Sequence, residues 1–159
     1  MNKYKIVMVC LGNICRSPMA DGLLRKKVKE HQLPVVVDSA GTGDWHVGNP
    51  PDPRMRETAK AFDTPIDELR ARQFTAADFD AFDEIYVMDH SNYDNVTKLA
   101  QTPADKEKVQ LILNKLSPAS DAEVPDPYFG GTQGFKDVYK MLDEATTVIL
   151  EELKERFKQ

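Results

Sequence analysis

The sequence predicts a single, doubly wound α/β domain over residues 1–159, in which helices cover both faces of a parallel sheet to form three layers. Two observations lead to this fold class. Short runs rich in β-branched residues alternate with segments of helical periodicity, which is typical of βαβ units on a parallel sheet. The length of 159 residues also fits one domain with one hydrophobic core.

Four short apolar runs are predicted to be the strands of this sheet. In chain order they are YKIVMV, LPVVVDSA ending near Ser39, DEIYVMD and KVQLIL. In a doubly wound sheet, ligands bind outside the carboxyl ends of the strands, near a switch in strand order. Residues that follow these runs are therefore the first candidates for a functional site.

Helical patterns predict the segments that connect the strands. Ser17 is expected to cap the first helix, with Pro18 at its first position and an end near Gln32. The other predicted helices are Pro53 to Phe62, a capped helical turn at TAADFDAF, HSNYDNVTKLAQ and Phe135 to Phe157. Two long loops, GTGDWHVGNPPDP and SPASDAEVPDPYFGGTQG, are dense in turn-forming residues, and their length suggests a function.

Charge, apolar runs and cysteine count exclude several classes of partner. The net charge of -5 argues against a broad nucleic-acid surface, which requires clustered Lys and Arg. The apolar run from Ile6 to Leu11 is shorter than a signal-peptide core and far from the roughly 18 residues of a membrane span. Two cysteines and three scattered histidines predict neither a disulfide scaffold nor a zinc site. We therefore predict a cytoplasmic protein with no nucleic-acid or membrane partner and no metal.

The stretch CLGNICRS follows the first predicted strand and predicts an anion site. Backbone N–H groups between Cys10 and Arg16, together with the start of the next helix, form a concave site for phosphate or a thiolate. Cys10 is therefore expected to be ionised at neutral pH. The planar fork of Arg16 matches two oxygens of a tetrahedral anion.

The same stretch supplies the residues predicted to bind phosphate. Gly12 permits close approach of the backbone, and Asn13 tolerates a left-handed conformation. Ser17 is able to donate its hydroxyl to the sulfur or the phosphate as well as to cap the helix. The predicted phosphate-binding residues are Leu11, Gly12, Asn13, Ile14, Cys15, Arg16 and Ser17.

Asp126 is the candidate proton donor for a leaving oxygen, which departs poorly as an alkoxide or phenoxide. It lies in VPDPYFGG, where Pro125 and Pro127 restrict the backbone on either side. Asp-Pro is also typical of turn initiation. On the residues alone, both interpretations stay open.

Five motifs in this order resemble those of the low-molecular-weight protein tyrosine phosphatases over nearly the whole chain. They are VCLGNICRSPMAD, SAGTGDWHVG, ARQF, EIYVMDHSN and PDPYFGG. The resemblance implies a Rossmann-like sheet of four parallel strands in the order 2-1-3-4. It also implies hydrolysis of phosphotyrosine in proteins without a cofactor or metal. Inorganic phosphate is then both product and inhibitor, and nothing in the sequence suggests an obligate dimer, so a monomer is expected.

The resemblance also implies a role for individual residues. By matching positions, Cys10 is the nucleophile, Arg16 the phosphate clamp, and Asp126 the general acid that later acts as base. The residues that match a rigid support of the loop are Asn13, Ser17 and Ser39. The residues that match the rim of the substrate cleft are Trp45, Tyr128 and Phe129, although each aromatic ring is equally able to pack under its own loop.

Three positions carry further expectations. Relatives suggest that Cys15 forms a reversible disulfide with Cys10 that protects the nucleophile, whereas the simpler interpretation is a small packed side chain. Leu69 falls where relatives often carry a histidine that braces the loop asparagine, which leaves open how Asn13 is held. Asp89 ends the third predicted strand and is either a partner of the loop or a turn-forming residue.

Three rival functions fit less well. Arsenate reductases of similar architecture relay oxidation to further cysteines, and this chain has none after Cys15. Protein-arginine phosphatases resemble this chain but carry threonine where Ile14 stands. A phosphate-binding module without catalysis would be expected to lack the nucleophile or the acid, and this chain has candidates for both. The sequence therefore favours a tyrosine phosphatase.

Overall fold

The computed structural model describes residues 3–128 and 131–158, which form four β-strands, six α-helices and one short 3-10 helix. In chain order the elements are β1 (Tyr4–Cys10), α1 (Arg16–Glu30), β2 (Val35–Gly41), α2 (Pro53–Ala61), α3 (Asp78–Ala81), β3 (Glu84–Val87), α4 (His90–Thr97), α5 (Pro103–Glu107), β4 (Val109–Leu111), the 3-10 helix (Ile112–Lys115) and α6 (Thr132–Arg156). Within those two ranges, no helix has the length and apolar character needed to cross a membrane.

The four strands form one parallel sheet in the order β2-β1-β3-β4, which confirms the predicted sheet and its order. The central strand is β1, where Cys10 lies opposite Gly41 of β2 and Val9 lies opposite Val87 of β3. The chain passes to β2 on one side of β1 and to β3 on the other. Cys10 therefore ends the strand at the switch in strand order, where ligands bind in such sheets.

Alternate residues of β1 face two separate hydrophobic layers, as a pleated strand requires. Ile6 and Met8 belong to a buried cluster that includes residues of α1 and α6. Val7 and Val9 belong to a second cluster with the phenylalanines around α3. Helical segments thus cover both faces of the sheet, as predicted.

The start of α1 differs from the prediction. The helix begins at Arg16 with Cys15 as its N-cap, so the prediction that Ser17 caps the helix with Pro18 first was wrong. The first intrahelical bond runs from the Met19 N–H to the Cys15 carbonyl at 3.2 Å. Pro18 is consequently the third helical residue, where a missing N–H leaves no intrahelical bond unmade. The Ser17 hydroxyl is left for contacts with the preceding loop.

The fourth strand is shorter than predicted because it lies at the sheet edge. Ile112 and Leu113, predicted to extend it, belong to the 3-10 helix instead. Both side chains belong to the cluster that includes α1 and α6, whereas strand alternation would direct them to opposite faces of the sheet.

The starts of three helices were not predicted correctly. In these helices the first turn buries few side chains or lacks the expected side-chain cap. None of the residues of α5 is buried, so apolar periodicity missed it, although the Thr102 cap before Pro103 was a usable signal. Helix α6 begins at Thr132 rather than Phe135, its first buried residue. At α3 the expected side-chain cap is absent, and the Asp78 carboxylate instead accepts the Thr75 N–H at 2.8 Å.

Asp21 is a fully buried carboxyl group on α1. It accepts hydrogen bonds from Arg25 Nε at 3.0 Å and Nη2 at 3.2 Å. Burial raises the pKa of Asp21 from its ordinary value of 3.8 to about 6, although Arg25 acts in the opposite direction. The folded state therefore holds this proton more tightly than the unfolded state. This contribution to stability is complete below the unfolded pKa and is lost as the pH rises through about 6.

Replacement of Asp21 by asparagine is expected to remove this pH dependence, because the amide stays neutral. The unfolding free energy of Asp21→Asn, measured relative to that of wild type, should increase by up to about 3 kcal/mol between acidic and neutral pH. Urea unfolding of both proteins at about pH 4 and pH 7 measures the difference. An equal difference at the two pH values would contradict the raised pKa.

Candidate active site

Residues 10–17 connect β1 to α1 and fold around the sulfur of Cys10; we call them the phosphate loop. Asn13 has φ 58, the left-handed conformation that its residue type was expected to tolerate. Its backbone N–H donates to Cys10 Sγ at 3.3 Å, and Ser17 Oγ lies 3.0 Å from the same sulfur. The side chain of Cys10 is buried. Polar donors thus surround the sulfur at the N-terminal end of α1.

The side chain of Asn13 holds the loop from within. Its Nδ2 donates to Ser17 Oγ at 2.8 Å, and its Oδ1 accepts the backbone N–H of Arg72 at 3.0 Å. A backbone donor therefore holds Asn13 in this chain, which carries Leu69 where relatives often have a histidine. Leu69 itself packs against the hydrophobic core.

Ser17 and Ser39 make different contacts. Because Asn13 donates to the Ser17 hydroxyl, the hydroxyl proton is available to Cys10 Sγ or to the Ala40 carbonyl at 3.3 Å. Ser39 interacts with the Asp21 carboxyl group on α1, and among residues 3–128 and 131–158 no hydrogen bond joins the Ser39 side chain to the phosphate loop. A contribution of Ser39 to loop rigidity stays a prediction.

Arg16 is buried beside the loop and is held by the end of the sheet. Its Nη1 donates to Asp89 Oδ2 at 2.7 Å and to the Val124 carbonyl at 3.0 Å. Asp89 also caps α4 by accepting the Asn92 N–H at 2.8 Å, so both interpretations of this residue hold. Burial alone would lower the pKa of Arg16, but the Cys10 sulfur and Asp89 raise it above its ordinary value. Arg16 therefore stays a cation.

Asp126 reaches the phosphate loop from the long segment before α6. Its Oδ2 lies 3.8 Å from Arg16 Nη2, and its Oδ1 accepts the Tyr128 N–H at 3.0 Å. The second contact is an Asx-type turn, so the turn interpretation and the site interpretation of Asp126 are compatible. The segment also joins the sheet where the Val124 N–H donates to the Met88 carbonyl at 2.8 Å.

A cavity of about 220 Å³ lies between the phosphate loop and Asp126. The residues that line it are Leu11, Gly12, Ile14, Cys15, Trp45, His46, Asp126 and Tyr128. Its volume is below the roughly 300 to 1,000 Å³ of pockets that enclose whole small molecules. The cavity therefore suits one side chain inserted from a larger partner.

Aromatic rings stand at the rim of this cavity. The Trp45 side chain is 68% exposed and that of Tyr128 is 39% exposed, which is unusual for such large groups. A Cβ atom at Gly43 would lie 1.8 Å from Trp45 Cζ3, so only glycine allows the indole to lie across its own loop. Phe129, the third predicted rim residue, lies outside the described residues.

Cys15 is a buried free thiol like Cys10. The pKa of Cys15 is raised far above its ordinary value. Burial is the largest cause, and the negative charge of Asp52 and the Cys10 sulfur add to it. It therefore stays protonated at neutral pH, which makes Cys10 the better candidate nucleophile. A disulfide between the two cysteines stays a prediction.

The sequence analysis missed several residues that shape the site. His46 lines the cavity and its ring lies against the open face of Gly12, yet only its place beside Trp45 hinted at this. Arg72 contributes a backbone N–H, which has no sequence signal. Asp52 and Arg54 stand at the start of α2, where the sequence predicted no more than the beginning of a helix at Pro53. In the described ranges, no group of three or more His, Cys, Asp and Glu residues is arranged to hold a metal ion.

Comparison with known proteins agrees with this geometry. Residues 5–159 match the family model described as low molecular weight phosphotyrosine protein phosphatase. The chain is 43% identical over 141 residues to a protein of that name from Schizosaccharomyces pombe, a match that covers 87% of this chain and 89% of the relative. It is 37% identical to the protein of that name from Homo sapiens, with 92% and 93% covered.

Solved structures show the same architecture. A crystal structure of a protein tyrosine phosphatase from Entamoeba histolytica, with Hepes in its active site, superposes with a TM-score of 0.89 at 35% sequence identity. The superposition covers 97% of this chain and 99% of that one. The likeness therefore extends over nearly the whole chain.

Proposed function

The chain belongs to the low molecular weight phosphotyrosine protein phosphatase family, and from this premise we propose that it hydrolyses phosphotyrosine in proteins, as well as aryl phosphates, through a phosphorylated Cys10. The observation that carries the proposal is the convergence of donors on one sulfur. Asn13 N–H lies 3.3 Å from Cys10 Sγ and the Ser17 hydroxyl lies 3.0 Å from it. Hydrogen-bond donors around the sulfur suit a reaction in which this atom attacks phosphorus and later departs as the leaving group.

In the first step, the Cys10 thiolate attacks phosphorus and the bond from phosphorus to the phenol oxygen breaks. Backbone N–H groups of the phosphate loop stabilise the equatorial oxygens. Asp89 Oδ2 and the Val124 carbonyl both accept hydrogen bonds from Nη1 of Arg16. The Nε and Nη2 edge of the guanidinium is then directed at two phosphate oxygens.

Asp126 supplies the proton that the leaving oxygen needs. The phenol is released, and a phosphoryl group remains on the Cys10 sulfur. In the second step, ionised Asp126 accepts a proton from a water molecule that attacks phosphorus, and the thiolate departs as the leaving group. Inorganic phosphate is the product, and because it fits the same loop it should inhibit competitively.

Ile14 favours a phenol as the leaving group. Its side chain lines the cavity together with Trp45 and Tyr128. An apolar side chain in a cavity that aromatic residues also line suits a flat phenyl ring better than a charged guanidinium. We therefore propose phosphotyrosine-containing proteins as the substrate class.

Replacement of Asp126 by alanine tests the role of the acid. We expect kcat/KM for phenyl phosphate to fall by about 10²- to 10³-fold, because its leaving group requires protonation. For p-nitrophenyl phosphate, whose phenolate departs without a proton, the loss should be much smaller. Asp126→Asn is the matched control, since its amide still accepts the Tyr128 N–H but donates no acidic proton. Equal losses for the two substrates would remove Asp126 from this role.

A further inference from the structure

Arg54, the second residue of α2, contacts both the segment before α6 and the first turn of α6. Its Nη2 donates to the Tyr128 carbonyl at 2.8 Å. Its guanidinium carbon lies 5.4 Å from the centre of the Tyr128 ring and 4.7 Å from that of Phe135. Stacking of a guanidinium on aromatic rings adds to the hydrogen bond. One side chain thus touches the segment just after Asp126 and the first turn of α6.

Arg54 is also connected to the phosphate loop, through Asp52. The Asp52 carboxylate, which is buried, accepts Arg54 Nε at 3.2 Å, Nη2 at 3.1 Å and the Arg54 backbone N–H at 2.8 Å. The backbone N–H of Asp52 donates to the Ile14 carbonyl at 2.8 Å. The orientation of Arg54 is therefore set by the loop that surrounds the Cys10 sulfur.

Asp126 lies midway between two carbonyls that are each held by an arginine. Arg16 donates to the Val124 carbonyl at 3.0 Å, two residues before Asp126, and Arg54 donates to the Tyr128 carbonyl, two residues after it. Pro125 and Pro127 restrict the φ angles of the backbone between these points. The carboxyl group consequently has little freedom to move relative to the phosphate loop.

Tyr128 also fixes which oxygen of Asp126 transfers the proton. Its backbone N–H donates to Asp126 Oδ1 at 3.0 Å. An oxygen that accepts this bond is the poorer site for a proton. Asp126 Oδ2, which lies 3.8 Å from Arg16 Nη2, is left as the oxygen that carries the proton on the side of the phosphate site.

We propose that Arg54 is a positioning residue for the general acid. It acts through the backbone of Tyr128 and aims Asp126 Oδ2 at the leaving oxygen, without contacting the substrate's phosphate. The proposal rests on the proposed function, because it requires Asp126 to be the acid. It predicts a specific kinetic signature rather than a general loss of activity.

The test is the leaving-group dependence of kcat/KM in Arg54→Met, which keeps the length of the side chain but removes its donors. We expect kcat/KM for phenyl phosphate to fall by about tenfold, because a small displacement of an acid is costly. For p-nitrophenyl phosphate we expect a loss below about twofold, because little protonation is needed there. A similar loss for both substrates, or no loss for either, would overturn the proposal.

Arg56→Met is the matched control, since it removes an arginine from the same helix. Arg56 donates to the Pro51 carbonyl at 3.0 Å and pairs with Asp67 at 3.9 Å, away from the segment of Asp126. Both substrates should be hydrolysed by this variant as by the wild type. A change in the ratio of the two kcat/KM values would show that any loss of positive charge on α2 has this effect.

A double variant separates this proposal from the proposed function. If Arg54 acts through the acid, adding Arg54→Met to Asp126→Ala should leave the ratio of the two kcat/KM values unchanged. A further change in that ratio would mean that Arg54 acts elsewhere. If Asp126→Ala alone leaves the ratio at its wild-type value, the acid assignment itself fails.

Two milder variants keep the test decisive if Arg54→Met does not fold. Asp52→Asn retains an oxygen to cap α2 but weakens the hold on Arg54, and Arg54→Lys keeps the charge without the planar fork. Both should change the ratio in the same direction by a smaller factor, with thermal melting confirming the fold. Wild-type ratios in these two folded variants would also overturn the proposal.

Discussion

Replacement of Cys10 by serine is expected to lower kcat by on the order of 10⁵-fold, because the serine hydroxyl is not ionised and attacks phosphorus poorly. The geometry of the loop should survive, since the serine oxygen takes the place of the sulfur between Asn13 N–H and Ser17 Oγ. Steady-state hydrolysis of p-nitrophenyl phosphate measures the loss. Calorimetric titration with inorganic phosphate should still detect binding to the loop of the variant.

Cys15→Ser provides the comparison for this prediction. Cys15 is also buried in the loop, but its thiol stays protonated because burial raises its pKa. We expect turnover in Cys15→Ser to exceed that in Cys10→Ser by several orders of magnitude. The opposite ranking would place the nucleophile at position 15. Activity that persists in Cys10→Ser and resists removal by repurification would exclude a cysteinyl phosphate at residue 10.

The sheet was predictable because its strands are apolar on both faces. Residues 6–9 of β1 are all completely buried, so the sequence shows a continuous apolar run that only a central strand requires. The residues at which helices begin were harder to predict from the sequence. Cys15 caps α1 without a side-chain bond, whereas Ser17 looked like the cap and is used by the phosphate loop instead. Local capping rules fail where a polar side chain serves a site.

The geometry of the phosphate loop could be anticipated because its residues are adjacent in the chain, whereas the contacts made by more distant residues could not. Asp126 lies far from Cys10 in sequence, and only the family resemblance favoured the acid over a turn. The bond from the Arg72 N–H to Asn13 uses a backbone group that every residue except proline possesses. Arg54 is informative only once the fold brings Tyr128 beside α2. Tertiary geometry, rather than residue type, gives these groups their roles.

Replacement of Arg16 by lysine is expected to lower kcat/KM by about 10³-fold while retaining the positive charge. Arginine uses Nη1 for Asp89 and the Val124 carbonyl and has a second edge for the phosphate. A lysine ammonium is a single point of donors, so it is unable to satisfy both partners and two phosphate oxygens. Because Arg16 is buried, a shorter cation also leaves Val124 without its donor and loosens the segment that carries Asp126.

Arg72→Lys distinguishes the loss of the phosphate clamp from the loss of any paired arginine near the loop. Arg72 bonds two carboxylates, Asp38 and Asp78, each at 3.1 Å, and it supports Asn13 through its backbone N–H, which lysine keeps. We expect this variant to lose less than about tenfold in kcat/KM, since its side chain is engaged with Asp38 and Asp78 rather than with the segment of Asp126. If Arg16→Lys lost as little activity as Arg72→Lys, a cation at position 16 would suffice. The bidentate geometry assigned to Arg16 would then be unnecessary for phosphoryl transfer.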